Sequence, residues 1–215
     1  WDAETYNELM AAPQPVELEH LSLEVPNMTS MATMVDSNAY SLQLLASLGK
    51  LRQLSISDSC GTIITDDSLA AALTPLTLVT RLTLEGCRGL GDAGLQQLPQ
   101  VAPQLQELSL LSLEWITDRG LTALCDLKHL SSLRLQRLGA RVTMRVIESL
   151  TLGICSAQKG QSITVVCQHY RPSLCLLRLE QCMGLGSERE CLALMSRAAT
   201  AGLDLTVLVG HRGLG

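Results

Sequence analysis

The sequence lacks phenylalanine altogether, and aromatic residues make up only 2% of its 215 residues. A hydrophobic core must therefore be built from leucine, valine, isoleucine, alanine and methionine, among which leucine dominates. This composition fits many small, similar cores better than one irregular core. The scarcity of aromatic residues also removes the side chains on which single-stranded nucleic acids stack.

The sequence also lacks an excess of positive charge. Its 16 lysine and arginine residues are outnumbered by 21 aspartate and glutamate residues, which gives a formal net charge of −5. Nucleic-acid binding requires a cationic surface that displaces counterions from the phosphates. This charge balance therefore excludes nucleic acid as the expected partner.

Long apolar runs are absent too. None approaches the roughly 18 residues that a membrane span requires, and no stretch has the charged and apolar regions of a secretion signal. Eight cysteines are scattered through the chain, without the dense framework of a small secreted scaffold. We expect reduced thiols in an intracellular protein that does not insert into a membrane. We predict a cytoplasmic location, and a ciliary or nuclear one stays open.

A short motif does recur at a constant interval. Three segments, ITDDSL (64–69), LGDAGL (90–95) and ITDRGL (116–121), place their aspartates at 66, 92 and 118, which is 26 residues apart both times. A fourth segment, VTMRVI (142–147), keeps the spacing but has methionine in place of the aspartate. The threonine or aspartate is expected to cap a helix by accepting hydrogen bonds from its free N–H groups.

A run of the form L-x-x-L-x-L precedes each of these segments. The alternation at its end predicts a strand with one buried and one open face. Each unit is thus predicted to contain a strand, a loop and a capped helix, stacked on its neighbours. The runs begin at residues 18, 51, 79, 105, 130, 174 and 203, the last of them degraded.

The segments LTLEGC (82–87), LRLEQC (177–182) and WITDRGL (115–121) resemble leucine-rich repeats of the cysteine-containing subfamily, which occurs in F-box/leucine-rich-repeat proteins. The resemblance covers about residues 16–215. It implies an α/β leucine-rich-repeat solenoid, or horseshoe, of about seven units, with parallel strands on the concave face and helices on the convex face. Residues 1–15 would form an N-terminal segment or cap.

Two stretches do not fit the repeat. Residues 139–173 form an irregular insertion, in which we predict a helix near 143–156 and an extended segment at 163–167. The early part of the chain is also irregular, with a helix predicted near 38–48. The last eight residues, 208–215, match an earlier loop at six of eight positions. Because they stop before a helix, we expect the chain to be part of a longer protein or a subunit whose ends are covered.

The segment GLGDAG (89–94) has the G-x-G-x-x-G spelling of a dinucleotide-binding turn between a strand and a helix. Similar loops recur at 182–186 and 211–215, whereas a cofactor site is needed only once. The preceding strand also has polar residues on one face, whereas the first strand of a dinucleotide-binding fold is covered on both. We therefore interpret Gly89–Gly94 as turn glycines and keep a nucleotide-binding enzyme only as an alternative.

The cysteines and histidines predict no metal site. Structural zinc favours paired C-x2–4-C knuckles, which the available spacings do not supply. Cys125 and His129 are four residues apart, but His129 is expected in a loop. Cys87 and Cys182 occupy the family's inward-facing position, where a thiol weakly hydrogen-bonds loop backbone and is structural. The four residues considered as zinc ligands, or in part as a Cys/His nucleophile pair, are Cys167, His169, Cys175 and Cys182.

The open face of the strands is the predicted binding surface. In L-x-x-L-x-L-x, positions 3, 5 and 7 project away from the leucines. Charged residues concentrate in the later units, and the last units turn apolar, which predicts either a bound partner or a covering segment there. The predicted protein-binding residues are Arg81, Glu85, Glu107, Arg134, Gln136, Leu176, Arg178, Glu180, Leu205 and Val207.

The resemblance implies contact with other proteins and no chemistry. We expect a non-catalytic scaffold, or a structural subunit of a large assembly such as the ciliary complexes in which this subfamily also occurs. The alternative is the substrate-recognition domain of an F-box-type ubiquitin ligase receptor. That role needs a segment outside this chain, because residues 1–15 carry no L-P-x-E-type F-box. No catalytic residue, cofactor, metal or small-molecule substrate is expected.

Overall fold

A computed structural model of the protein describes ten stretches of the chain. They are residues 18–25, 42–58, 64–152, 154–156, 164–166, 174, 176–182, 184–185, 187–200 and 204–208. The strands are β1 (His20–Val25), β2 (Gln53–Asp58), β3 (Arg81–Glu85), β4 (Glu107–Leu111), β5 (Ser132–Gln136), β6 (Ile154–Ser156), β7 (Thr164–Val166), β8 (Leu176–Glu180) and β9 (Asp204–Leu208). The α-helices are α1 (Asp66–Leu73), α2 (Asp92–Val101), α3 (Asp118–Ala123), α4 (Met144–Leu152) and α5 (Glu188–Thr200), with 3₁₀ turns at Leu42–Ser47 and Leu124–Asp126.

Seven of these strands form one open parallel sheet. Their order across the sheet, β1-β2-β3-β4-β5-β8-β9, is also their order along the chain. Each helix contacts the helix of the next unit, so that the helices form a row that follows the strands. The predicted α/β class, with parallel strands and intervening helices, is therefore confirmed.

The sheet has one buried face because apolar and polar residues alternate along its strands. In β3, Leu82 and Leu84 are at most 1% exposed, whereas Arg81 and Glu85 are exposed. The two equivalent apolar positions are buried in β1, β2, β4, β5 and β8 as well. Burial of each such side chain contributes about 2 kcal/mol to stability, so repetition of the pattern builds a continuous core.

Register keeps the units aligned. Leu82 lies beside Leu54 of β2 and Leu108 of β4, and the same alignment continues through β8. Leucines therefore line up with leucines, and the polar positions between them line up with one another. Within this sheet, the predicted strand positions are confirmed from β1 to β5 and for β8.

The predicted register of the last unit is wrong by one residue. The pattern placed Leu205 and Val207 on the open face, but β9 pairs these residues with the two buried leucines of β8. Asp204, which is exposed, and Thr206, which is half-buried, continue the open face instead. A shift of one residue exchanges the two faces of a strand. The sequence LDLTVL permits either choice because it has apolar residues at both odd and even positions.

The irregular stretches agree with the predictions in part. The helix predicted near 143–156 is α4, which ends at Leu152, and it is followed by β6 and β7 as a separate antiparallel pair. The extended segment predicted at 163–167 contains β7. Where a helix was predicted near 38–48, the structure has the 3₁₀ turn Leu42–Ser47. Residues 38–41 lie outside the described part. Residues 1–15 and 209–215 lie outside it too.

The recurring aspartates connect neighbouring units. Asp92, the first residue of α2, accepts a 2.8 Å hydrogen bond from the backbone N–H of Thr117 and a 2.6 Å bond from its hydroxyl. Threonine performs the predicted capping, since Thr117 in turn accepts from the N–H of Arg119. Aspartate instead reaches the cap residue of the next unit. The equivalent contacts are Asp66 Oδ1 to Gly91 N and Asp118 Oδ1 to Thr143 N, both 2.7 Å.

Two helix glycines leave room for these aspartates. A Cβ at Gly94 would lie 2.7 Å from Asp66 Oδ1 and 3.2 Å from Asp66 Cα, closer than ordinary van der Waals contact allows. A Cβ at Gly120 would collide with Asp92 in the same way. The D-x-G-L motif thus serves two contacts between units. Its aspartate accepts hydrogen bonds from the cap residue of the next unit, and its glycine leaves space for the aspartate of the preceding unit.

Two thiols at equivalent positions of their units also join neighbouring units. Cys87 is fully buried, and its Sγ lies 3.5 Å from the carbonyl oxygen of Glu85 and 3.9 Å from that of Ile56 in the preceding strand. Cys182 is half-buried, and its Sγ lies 3.6 Å from the carbonyl oxygen of Leu135, again in the neighbouring strand. The predicted inward position and backbone hydrogen bonds are confirmed for both residues.

Because Cys87 is buried, its thiol should make the free energy of unfolding depend on pH in the alkaline range. Burial, with a smaller contribution from the charge of Asp58, raises the pKa of the Cys87 thiol from 9.0 to about 12. The folded state then holds this proton more tightly than the unfolded state, so the stabilisation is complete below pH 9 and is lost as the pH rises toward 12. We expect Cys87 to contribute a stability loss of about 1 kcal/mol between pH 7 and pH 10.

Urea unfolding of the wild type and of Cys87→Ala at both pH values measures this contribution. Comparison with the alanine variant corrects for the other groups that titrate at high pH, since lysines and tyrosines titrate in both proteins. The stability difference between the two proteins should shrink by about 1 kcal/mol at pH 10. A difference that is independent of pH would contradict the assignment of a protonated, buried thiol.

Candidate protein-binding face of the sheet

The open face is the side of the sheet that carries positions 3, 5 and 7 of each strand. Eight of the ten predicted binding residues lie there, and register sets their neighbours. Arg81 lies beside Glu107, and Arg134 lies beside Arg178. The eight residues are Arg81, Glu85, Glu107, Arg134, Gln136, Leu176, Arg178 and Glu180.

A chain of polar contacts crosses the first four strands. The Nδ1 atom of His20 lies 3.0 Å from Gln53 Oε1, which also accepts a 3.2 Å hydrogen bond from Arg81. Arg81 Nε lies 3.4 Å from Glu107 Oε1, but the two side chains are 52% and 54% exposed. Solvent screens such a pair strongly. This first cluster therefore orders the surface more than it stabilises the fold.

A second, tighter cluster lies on β5 and β8. Arg134 Nη2 is 3.1 Å from Glu180 Oε1 and 3.1 Å from Gln136 Oε1, while Arg178 Nε is 3.8 Å from the same Glu180 oxygen. The Glu180 side chain is only 14% exposed. Because the two arginines are direct neighbours in register, their like charges would repel each other without the carboxylate between them.

One arginine donor of the second cluster is left without a partner by the described residues. A guanidinium carries five N–H donors in a fixed fork, and the contacts of Arg134 use its Nη2. Its Nε is buried and has no hydrogen-bond partner among the described residues. Leu176 and Leu111 are half-buried on the same face, so apolar surface adjoins the charged group. This combination of oriented arginines and apolar surface is typical of the centre of a protein interface.

No protein-family model matches the chain, and no curated protein matches it either. Among the described residues, no helix has both the length and the apolar character that a bilayer crossing demands. The functional assignment therefore depends on the geometry of the open face and of the loops beside it.

The glycine-rich turn is occupied by the protein itself. In a dinucleotide site, a phosphate would accept hydrogen bonds from the N–H groups that begin the helix. Here the Gly91 N–H donates to Asp66, and the Asp66 carboxylate packs against Gly94. The carboxylate thus fills the position that a phosphate would need. This geometry favours the interpretation of Gly89–Gly94 as a structural turn.

Of the four residues considered for metal binding, the described part of the chain contains only Cys182. Cys167, His169 and Cys175 lie outside it, and within it no three or more histidine, cysteine, aspartate or glutamate side chains could hold a metal ion. His129 is exposed in the loop before β5, as predicted.

One charged surface was missed by the sequence analysis. Exposed arginines and Trp115 lie where the strands end and the helices begin, beside the open face rather than on it. The available signal was the repeat itself, since Arg119 and Arg145 are separated by the same 26 residues as the aspartates, and so are Trp115 and Arg141. A search restricted to strand positions could not find them.

Proposed function

We propose that the protein is a leucine-rich-repeat protein of the cysteine-containing type and that its sheet lines the concave side of a horseshoe. It acts as a non-catalytic scaffold, or as a structural subunit of a larger assembly, and binds another protein across the open face. The observation that carries this proposal is the second cluster, in which Glu180 fixes two arginines beside apolar surface.

The second cluster suits recognition because its side chains are already ordered. Arginine is among the residues that contribute most to interface energy, and a guanidinium held in place loses less entropy on binding than a free one. The cationic fork of Arg134 fits a carboxylate of the partner, and Leu176 fits an apolar side chain. A partner surface with both features is the expected ligand of the open face.

The double substitution Arg134→Glu/Arg178→Glu tests this proposal. It places three carboxylates where the wild type has one between two guanidiniums, so we expect recovery of the specific partner in a quantitative pull-down to fall at least tenfold. The tenfold loss corresponds to about 1.4 kcal/mol of binding free energy.

The matched control is Arg52→Glu/Arg197→Glu. Both of these arginines also form ion pairs, with Glu19 and Glu148, but they lie off the open face. The control therefore changes the net charge equally and also breaks two ion pairs, and recovery should stay within about twofold of the wild type. Equal recovery with both double variants would remove the open face as the binding site.

A further inference from the structure

The arginines of the described residues fall into two groups. Five of them form ion pairs, namely Arg52, Arg81, Arg134, Arg178 and Arg197. Six others are exposed and have side chains that pair with no described carboxylate: Arg88, Arg119, Arg137, Arg141, Arg145 and Arg189. All six lie between the end of a strand and the first turn of the following helix. We call this group the arginine edge.

An exposed tryptophan lies on the same edge. Trp115 is 56% exposed in the loop between β4 and α3. Three residues later, the backbone N–H of Asp118 donates a 3.3 Å hydrogen bond to the carbonyl oxygen of Arg141. The loops that carry Trp115 and Arg141 are therefore in contact.

Local stability does not explain these arginines. Arg145 and Arg189 are the second residues of α4 and α5, where the positive end of the helix dipole disfavours a cation and favours an anion. Neither side chain recovers this loss through an ion pair within the described ranges. Cations placed against the local field, beside an exposed tryptophan, indicate a surface adapted to an external anion.

We propose that the arginine edge binds an extended acidic segment of another protein, with an apolar residue of that segment packed on Trp115. Adjacent helices pack about 8–10 Å apart, so Arg119, Arg145 and Arg189 present cations at roughly that interval. An extended polyproline-II segment rises about 3.1 Å per residue and has three residues per turn. Carboxylates at every third residue of such a segment therefore lie on one side of it, about 9 Å apart, and match the arginines.

The charges of the edge favour a protein over a nucleic acid. The half-buried carboxylates of Asp66, Asp92 and Asp118 lie at the helix starts and would repel a continuous phosphate backbone. A peptide can place its carboxylates at the arginines and leave neutral residues beside the aspartates.

A designed peptide tests the inference directly. The probe has twelve residues, with glutamate at every third position and a leucine at its centre, and the control peptide replaces each glutamate by glutamine. Trp1→Tyr in the full chain leaves Trp115 as the remaining tryptophan of the two, so that its fluorescence reports binding. We expect the acidic peptide to change this fluorescence saturably, with an affinity that falls as salt screens the charges, and the glutamine peptide to bind at least tenfold more weakly.

Variants separate the arginine edge from other surfaces. Arg119→Glu/Arg145→Glu should weaken the acidic peptide at least tenfold by calorimetry, and Trp115→Ala should weaken it as well. The matched control is Arg52→Glu/Lys128→Glu, which makes the same charge change where the chain enters β2 and β5, at the other end of the strands, and should leave the affinity within about twofold. Arg134→Glu/Arg178→Glu should also leave it unchanged, so this result is independent of the proposed open-face function.

Three outcomes would overturn the inference. The first is the absence of saturable binding of the acidic peptide to the wild type. The second is an equal loss of affinity in the edge variant and in its charge-matched control, which would reduce the effect to net charge. The third is tighter binding of a single-stranded oligonucleotide than of the peptide, which would assign the edge to nucleic acid instead.

Discussion

Replacing Asp92 by alanine is expected to lower the free energy of unfolding by about 3 kcal/mol. The substitution leaves both the backbone N–H and the hydroxyl of Thr117 without their acceptor. Hydrogen bonds to a charged group contribute about 1.5–3 kcal/mol, and a half-buried donor left unpaired adds a desolvation penalty. Urea unfolding monitored by circular dichroism measures the change, with Cm as the comparison between proteins.

Two further variants test whether the loss of stability comes from the bridge between units. Asp67→Ala also removes a carboxylate from the first turn of a helix, but the Asp67 side chain is exposed and forms no hydrogen bond with the described residues, so it should cost less than about 1 kcal/mol. Asp92→Asn keeps an acceptor for the N–H of Thr117 and should recover more than half of the loss. Equal effects of Asp67→Ala and Asp92→Ala would show that the bridge between units contributes nothing beyond the helix dipole.

The aspartate bridges explain why the repeat has a fixed period. Each bridge joins the first residue of one helix to the cap of the next, over 25 residues of sequence. An insertion within a unit would move the cap out of reach of the carboxylate. The fourth unit has Met144 where the aspartate would stand, and Met144 lies within the irregular stretch 139–173. Loss of the bridge and loss of the period therefore coincide.

The sequence predicts the strands well because their signal is local. Alternation around Leu82 and Leu84 identifies the buried face of one strand without knowledge of any other. The last strand shows the limit of this signal. In LDLTVL, apolar residues fall on both faces, and only the pairing with β8 decides that Leu205 and Val207 align with buried leucines.

The function of the aspartates could not be predicted because both possible roles use the same residue type. A carboxylate at a helix start can accept from its own helix or from a neighbouring one. Asp92 does the second, and its partner Thr117 lies in another unit. Only the stacking of units shows which N–H is within reach.

Membership of the open face was predictable, but pairing on it was not. A period of two places Arg134 and Glu180 on one side of the sheet. Their contact spans 46 residues of sequence and crosses the irregular stretch, so it depends on β5 and β8 being neighbours. Eight of the ten residues therefore lie on the predicted face, whereas the arrangement of Glu180 between two arginines had no local signal.

Turn geometry shows the same limit. The second residue after the last buried leucine of the strand adopts a left-handed conformation in four units, with φ between 51° and 64°. Glycine marks this position only at Gly86, whereas the other three units have Ser112, Arg137 and Gln181. The composition of a single loop thus reveals little, because the stacked strands impose the conformation on residues that do not prefer it.

The largest effect after that of Asp92 is expected at Gly184, in the loop that follows β8. A Cβ there would collide with the carbonyl oxygen of Val142 and lie 2.7 Å from that of Ala140. Both atoms belong to the backbone and cannot rotate away. Overpacking of this kind costs about 1–3 kcal/mol, and we expect Gly184→Ala to lower the free energy of unfolding by about 3 kcal/mol in urea unfolding.

Gly49→Ala is the matched control, since a Cβ there meets nothing within 4 Å. It should be neutral or stabilise by up to about 1 kcal/mol, because alanine restricts the unfolded chain. Similar losses in both variants would mean that the loops around Gly184 and Val142 are not in close contact. That contact has a particular position, since it joins the two units between which Met144 supplies no carboxylate. Close backbone packing at Gly184 thus lies at the junction that lacks an aspartate bridge, so a single added methyl group there should weaken the packing between these two units.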